Sequence, residues 1–337
     1  MAVKRTTLMD VARAAGVSRA TASLVIRGSD LVADKTREKV EKVIAELDYV
    51  PNSGAARLRG QKSRTVGVII PNLVNSFFSE FVEGIEAELD EQGYQVMLAS
   101  SRDDPERQSG LLRRLREHDA EGIILFPAEG TEPDTIEKLV AAGVPLVQAM
   151  RHVGRDLSDF AGSDHGLAVR LSVRHLRDLG HRRISFVSLA GKVSTREERL
   201  GAFEEELRAQ GLVNAGVIDV PLEWDGSPQS AAMLMALEPR PTAAICFNDI
   251  LASGLLRGLF DLGLMPGRDL SVVGHDNLSF IDLGAPPRLT TVQVFPRQIG
   301  AASAKLLLRR IKDPSAELKS EIVTPRLRVR DTTGPVD

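Results

Sequence analysis

From Thr65 onward, short uninterrupted apolar runs alternate with amphipathic helices, and the series occurs twice. The first series is "TVGVII", "QVMLAS", "EGIILF" and "PLVQAM", with Phe78, Phe81, Val82, Ile85 and Leu89 forming the apolar stripe of the first intervening helix. After "GSDHG" the rhythm restarts: a helix over Leu167–Leu179, the strand "RISFVSL", a helix over Arg196–Leu207, then "AAICFN" and "LSVVGH". A strand that is apolar at every position is buried on both faces, as happens in parallel sheets covered by helices on both sides. Two such arrays in succession predict two α/β lobes with a cleft between them. A chain of 337 residues, 43% hydrophobic, can fill cores for two or three domains; with aromatics at only 4%, those cores are built from Leu, Val, Ile and Ala.

In open parallel sheets, ligands sit beyond the carboxyl ends of the strands. That rule collects Pro71–Asn72, Ser100–Asp104 with Asp103 among them, Arg151, Trp224, Asn248–Asp249 and His275–Asp276–Asn277. Each residue alone is as readily a turn or a cap. Together they set carboxylates, amides and an arginine beside the only tryptophan, which suits a small polar ligand such as a sugar.

Several classes are disfavoured. The single Cys246 forms no intramolecular disulfide, and it sits inside an apolar strand, where core is the better reading than nucleophile. No His/Cys/Asp/Glu set has metal-ligand spacing, no GxSxG occurs, and "GQKS" lacks the upstream glycine of a phosphate loop. The expectation is therefore no enzyme, no cofactor and no metal. "MAVKRTTLMD" carries no secretory signal and no apolar run spans a bilayer, so a cytoplasmic protein with no membrane partner is expected. A free solute-binding protein would need such a signal and would have no use for residues 1–60. A regulator that takes a protein rather than a small molecule in its cleft is a third possibility.

Those first 60 residues differ in charge from the rest. They hold 11 Lys+Arg against 7 Asp+Glu, in a chain whose formal net charge is -3. A basic head on an acidic body fits a polyanion-binding module joined to another function. Thr7 and Asp10 have capping-box spacing, and Leu8, Val11, Ala12 and Ala15 give the following helix one apolar face. Gly16 makes the turn, and Ser18 caps a second short helix facing inward through Ala22, Val25 and Ile26. A third helix buries Val40, Val43, Ile44 and Leu47. This is a helix-turn-helix arrangement. It leaves Arg19, Ala20, Ser23, Leu24 and Arg27 outside on the second helix. Such a face is either plainly solvated or reads duplex DNA. In the second case Arg19 contacts guanine, Ala20 meets a thymine methyl, and the hydroxyls of Ser18 and Thr21 hold phosphates. In "NSGAARLRG" (52–60), Leu58 flanked by Arg57 and Arg59 is an apolar wedge suited to a minor groove, or part of a flexible linker.

"TLMDVARAAGVSRATASLVIRG", "YVPN" and "AARLRG" together resemble the head of the lactose-repressor (LacI/GalR) family of bacterial transcription regulators, and similar signs continue to near residue 331. The resemblance implies an all-α helix-turn-helix domain followed by a two-lobed, doubly wound, periplasmic-binding-protein-like α/β domain. It places the helix-turn-helix at 1–51, a hinge at 52–64, the first lobe at 65–160 plus 292–320, and the second at 161–291 plus 321–331. It implies DNA contacts from Thr7, Ser18, Arg19, Ala20, Thr21, Ser23, Leu24, Arg27, Asn52, Ala55 and the intercalating Leu58. Where the family's second helix is close to "VSxxTVSRVLNG", this chain has Ala22, Leu24 and Arg27 for the Val, Arg and Asn.

For the cleft, "TREERLGAF" points to Arg199, "CFNDILASG" to Asn248 and Asp249, "SVVGHDN" to Asp276, and "NSFF" to Phe77 or Phe78. Many members carry Asp–Arg where this chain has Met150–Arg151. The missing carboxylate leaves both a sugar and an anionic effector open. The implied partners are double-stranded operator DNA, a small-molecule effector, most readily a carbohydrate, and a second copy in a homodimer, since the family's tetramer-forming leucine repeat is absent. The implied role is repression of carbohydrate-uptake or catabolic genes. Co-repression or activation by a non-sugar metabolite is the alternative.

Overall fold

The computed structural model describes residues 6–50, 63–221, 227–279 and 287–336. The chain divides at Ser63–Arg64 into two compact units.

The first unit holds α1 (Leu8–Ala14), α2 (Arg19–Ile26) and α3 (Asp34–Glu46). Its local signals are chemically explicit. The Thr7 hydroxyl accepts from the Asp10 amide at 3.3 Å while the Asp10 carboxylate accepts from the Thr7 amide at 3.0 Å, completing the capping box. Ser18 caps α2 by accepting from the Thr21 amide at 3.0 Å. Val11, Ala12, Ala15, Ala22, Val25, Val40 and Val43 are buried as the periodicity requires, joined by Val32 from the loop before α3.

Three positions depart from expectation. Leu24 packs against this cluster instead of facing out, Ile26 is only partly buried and lies outside it, and Leu47 is exposed. An eight-residue helix has its stripe fixed by two buried positions alone. Its flanks are set by the returning loop, here through the Ser29 amide bonded to the Leu24 carbonyl at 3.1 Å.

The second unit contains two six-stranded sheets. The first has the order β11 (Ser320–Val323), β5 (Asp159–Ser163), β4 (Leu146–Ala149), β3 (Gly122–Leu125), β1 (Thr65–Ile70), β2 (Gln95–Ser100), all parallel. The second runs β12 (Arg326–Arg328), β10 (Thr290–Gln293), β9 (Ser271–Asp276), β8 (Ala243–Cys246), β6 (Arg183–Leu189), β7 (Val213–Val220), parallel except for antiparallel β12. The all-apolar strands are covered on both faces. Val66, Val68 and Ile70 of β1 pack with Phe77, Phe81 and Ile85 on one side, while Ile69 packs with Leu112 and Leu115 on the other.

The strands place the lobe crossings slightly downstream of positions 160, 291 and 320: all of β5 and β11 belong to the first sheet and all of β10 to the second. Hydrophobicity does not mark these points, because β5, β10, β11 and β12 all mix apolar with polar or charged residues and no long apolar run ends at a crossing. Edge strand β2 also departs from the buried expectation, with Met97 37% and Leu98 39% exposed; an edge has a neighbour on one side only. No helix among the described residues is long and apolar enough to cross a membrane.

The helices that matter for the cleft are α4 (Ser76–Asp90), α5 (Pro105–Glu117) and α11 (Pro296–Lys312) in the first lobe, and α7 (His165–Asp178), α8 (Ser194–Ala209) and α10 (Asp249–Asp261) in the second. Each except α7 and α11 follows a parallel strand of its own lobe, so its amino end points to the ridge where strands finish.

Candidate functional site

On the first unit, Ser18, Arg19, Ala20 and Arg27 are exposed along α2, with Thr21 and Ser23 half-buried. The Ser18 and Thr21 hydroxyls lie 2.8 Å apart at the amino end of the helix. Arg27 folds back, its Nε donating to the Ser23 carbonyl at 3.0 Å. Thr7 is exposed but its hydroxyl is committed to Asp10 at 2.6 Å. Leu24, expected among the DNA contacts, is half-buried and packs against the helical core. Asn52, Ala55 and Leu58 lie outside the described residues.

In the second unit a cavity of about 880 Å³ opens between the carboxyl ends of the two sheets. Phe77, Phe78, Asp103, Arg151, Arg199, Asn248 and Asp276 line it, so residues from six separate stretches of sequence meet: Asp103, Arg151, Asn248 and Asp276 where the strand-end rule put them, and Phe77, Phe78 and Arg199 where the family motifs pointed. Trp224 lies outside the described residues. Asn72, Asn75, Ser100, Arg107 and Thr195 also line the cavity, with Phe126 and Phe247 as further walls. Asn75 and Asn248 are the caps of α4 and α10, accepting from the Phe77 and Leu251 amides at 2.9 Å each. A strand-then-Asn reading would have found Asn75; nothing local marks Thr195.

Asp249 is the clear correction. It was expected beside the effector, yet it is fully buried and faces the second lobe's interior. Its carboxylate accepts from the Thr291 hydroxyl at 2.5 Å and from the Leu278 amide at 2.9 Å. Gly274 makes the space, since a Cβ there would stand 2.2 Å from Asp249 Oδ1. Burial pushes the Asp249 carboxyl up to about 7, against the pull of Thr291. A carboxyl raised in the fold contributes stability that is full below its ordinary value of 3.8 and lost as pH rises through about 7. Asp249→Asn is expected to remove a slope of about 1.4 kcal/mol per pH unit over that window. Denaturation at pH 5 and pH 8 checks this: the variant's deficit relative to wild type should shrink at the higher pH. A constant deficit would mean that the group does not titrate there.

The cavity floor is cationic and buried. Arg199, 4% exposed, donates to the Phe247 carbonyl and lies over that ring, 4.3 Å from its centroid. Its Nη2 is 3.3 Å from His165 Nδ1. Burial lowers Arg199 to about 10, with Asp276 opposing the shift. Burial, then the charge of Arg199, depress His165 to about 3, and the same causes in the same order hold His275 well below the usual histidine range. Both rings are therefore neutral beneath a charged guanidinium. Asp276 is pushed well above the carboxylate range by burial, opposed by Arg199, and its backbone takes φ 113°, where L residues are strained. Asn277 faces away from the cavity and accepts from Arg330 at 2.7 Å.

In the first lobe, Arg151 pairs with Asp103 at 2.6 Å and lies 4.9 Å from the Phe126 ring centroid. The two are 48 residues apart, so no local pattern shows the pairing. The lobes meet along one rim. Glu129 accepts from the Lys192 amide at 2.9 Å beside Gly191, where a Cβ would come within 2.5 Å of the carboxylate. Glu198 bonds His152 at 2.9 Å and Arg155 at 2.8 Å; burial would raise its carboxyl, but these partners hold it down at about 2. His181 is bound by Thr242 and Ser271 at 3.0 Å each, a structural role. Cys246 is buried in β8 with its thiol raised by desolvation. Among the described residues no group of three or more His, Cys, Asp or Glu is placed to hold a metal ion.

Comparison with known proteins agrees with both halves of this arrangement. Residues 7–52 match the family described as bacterial regulatory proteins, lacI family, and residues 173–333 match the periplasmic binding protein-like domain. The HTH-type transcriptional repressor PurR of Vibrio vulnificus (strain CMCP6) is 32% identical over 335 residues, 98% of this chain and 99% of that protein. Among solved structures, the Lac repressor dimer bound to operator and the anti-inducer ONPF shares 30% identity and a TM-score of 0.85 over 98% of this chain and 100% of that one. The complex of the transcriptional regulator CelR with cellobiose shares 29% identity and a TM-score of 0.72 over 97% and 100%. With an exposed arginine-bearing helix in the first unit, a two-lobed cleft in the second, and full-length similarity to a repressor, the chain belongs to the lacI family of bacterial regulatory proteins.

Proposed function

We propose that this lacI-family DNA-binding transcriptional repressor changes its grip on an operator when a carbohydrate or carbohydrate derivative occupies the cleft between its lobes. The observation that carries the reading is the cavity itself. Amides, hydroxyls and arginines from both lobes converge on one space walled by phenylalanines, where a ligand touching both lobes selects one lobe arrangement. The cellobiose complex of a relative supports the carbohydrate class. The operator is held by the exposed face of α2, with Arg19 and Ala20 at the end that meets base edges. Two copies, as in the Lac repressor dimer, read a near-palindromic site with half-sites about one helical turn apart. Leu58 is assigned to the centre of that site on the family resemblance.

The test begins with fragments selected by the purified chain from genomic DNA. Arg19→Ala should relax preference at one base pair per half-site, at about 1–3 kcal/mol for the preferred base. Uniform weakening on every sequence would reassign Arg19 to the phosphates.

A further inference from the structure

Building on the effector cleft proposed above, we infer that its ligand is an anion: a sugar-sized molecule whose carboxylate or phosphate is taken by Arg199 of one lobe and Arg151 of the other. If no ligand uses the cleft, this inference falls with that reading; a neutral ligand sinks it alone.

The buried cations set the chemistry. Arg199 is 4% exposed and lines the cavity, yet among the described residues no carboxylate lies within 4.0 Å of it. Its protein acceptors are neutral, a main-chain carbonyl and an imidazole nitrogen. Asp276 is the main electrostatic partner of Arg199 but forms no ion pair with it and is itself held toward the neutral form by burial, and removing a guanidinium from water without a close counter-charge is costly. An anion in the adjoining cavity supplies that charge, and hydrogen bonds to charged acceptors are roughly twice as strong as neutral ones. Arg151 of the first lobe is also buried, 8% exposed, laid on a phenylalanine and lining the same cavity, but it is paired with Asp103. Both guanidiniums are thus held by aromatic faces, one in each lobe, before a ligand arrives.

The cavity's charge balance agrees. Arg102 and Arg107 also line it, so arginines outnumber the two carboxylates, Asp103 and Asp276. One of those carboxylates is already spent, since Asp103 Oδ1 accepts from both Arg151 and the Glu129 amide. The amino ends of α4 and α10, marked by their Asn caps in the cavity wall, add partial positive charge. A neutral sugar leaves this surplus uncompensated. Asp103 then has a definite role: it is the resident counter-ion of Arg151, competing with the ligand's anionic group.

The matched probes are glucose, gluconate, glucose 6-phosphate and inorganic phosphate, titrated into the full-length chain at constant ionic strength against chloride. Thermal melting and calorimetry read binding, and affinity for a selected genomic operator is measured on the same samples. The expectation is that at least one charged sugar binds about tenfold or more tightly than glucose, with the carboxylate and phosphate arms identifying the group. Arg199→Gln should remove that preference. Asp103→Asn keeps an acceptor for the Glu129 amide and frees Arg151, so it should tighten anion binding several-fold, whereas a purely structural Asp103 would give weaker binding. Glucose binding as tightly as its charged counterparts overturns the inference, as does chloride-like behaviour of every anion, phosphate included. If only glucose shifts operator affinity, the effector cleft stands and the anion does not. If anions bind and operator affinity never moves, the site stands and the regulatory reading fails.

Discussion

Gly300→Ala is expected to cost about 3 kcal/mol or more of stability, although alanine is the better helix former by about 1 kcal/mol. Gly300 lies in α11 and Gly84 in α4, where the two helices cross in the first lobe. A Cβ at Gly300 would stand 2.0 Å from the Phe81 carbonyl oxygen, and one at Gly84 would stand 2.1 Å from the Arg297 carbonyl oxygen. Both obstacles are backbone, so no rotamer relieves them and the helices must separate. Separation strips contacts from Phe81 and Ile85, both fully buried, and displaces the start of α4 that carries Asn75, Phe77 and Phe78 to the cavity. Gly110 in α5 is the control. Nothing lies within 4 Å of its would-be Cβ, so the same substitution there should stabilise the chain by up to about 1 kcal/mol. Chemical denaturation of the two variants side by side should move the midpoint in opposite directions. Equal small effects would show that the helices do not cross at these glycines.

Arg199→Met is the second large effect. The thioether chain occupies much of the arginine's volume and stays compatible with the Phe247 ring, but it donates no hydrogen bond. The loss of charge-assisted bonds to a cleft ligand should cost about 1.5–3 kcal/mol, more than tenfold in ligand affinity. Operator binding by the unliganded chain should persist, since Arg199 belongs to the second unit and α2 to the first. A ligand titration identical to wild type would remove Arg199 from the site.

These cases show which features the sequence made legible. Caps such as Thr7–Asp10 and Ser18–Thr21 were readable because donor and acceptor are three residues apart and chemistry alone sets the geometry. The doubly covered strands were readable because burial on both faces leaves few polar positions, such as Gln148 in β4 and Ser185 in β6. Asp276 and Asn248 were reachable from strand ends and family motifs alike, and Arg199, which lies inside α8, from the family motif alone. Asp249 shows the limit. Adjacency to Asn248 suggests a shared role, but successive residues at a helix start point about 100° apart, and Thr291, 42 residues away, draws its carboxylate inward. The Arg151–Asp103 pair and the Glu198 cluster were illegible because their partners are far apart in sequence: the first meets only once the first sheet has formed, the second only once both lobes have. Leu24 looked exposed because a two-turn helix does not specify its own flanks.

The central claim is that the cleft and the operator are energetically coupled, and coupling between binding sites is reciprocal. The most direct measurement is therefore the affinity of the tightest-binding sugar probe for the chain alone and for the chain saturated with its selected operator. The two values should differ by the same factor by which that probe changes operator affinity. Equal ligand affinity in both states, with operator affinity unmoved, would contradict the claim.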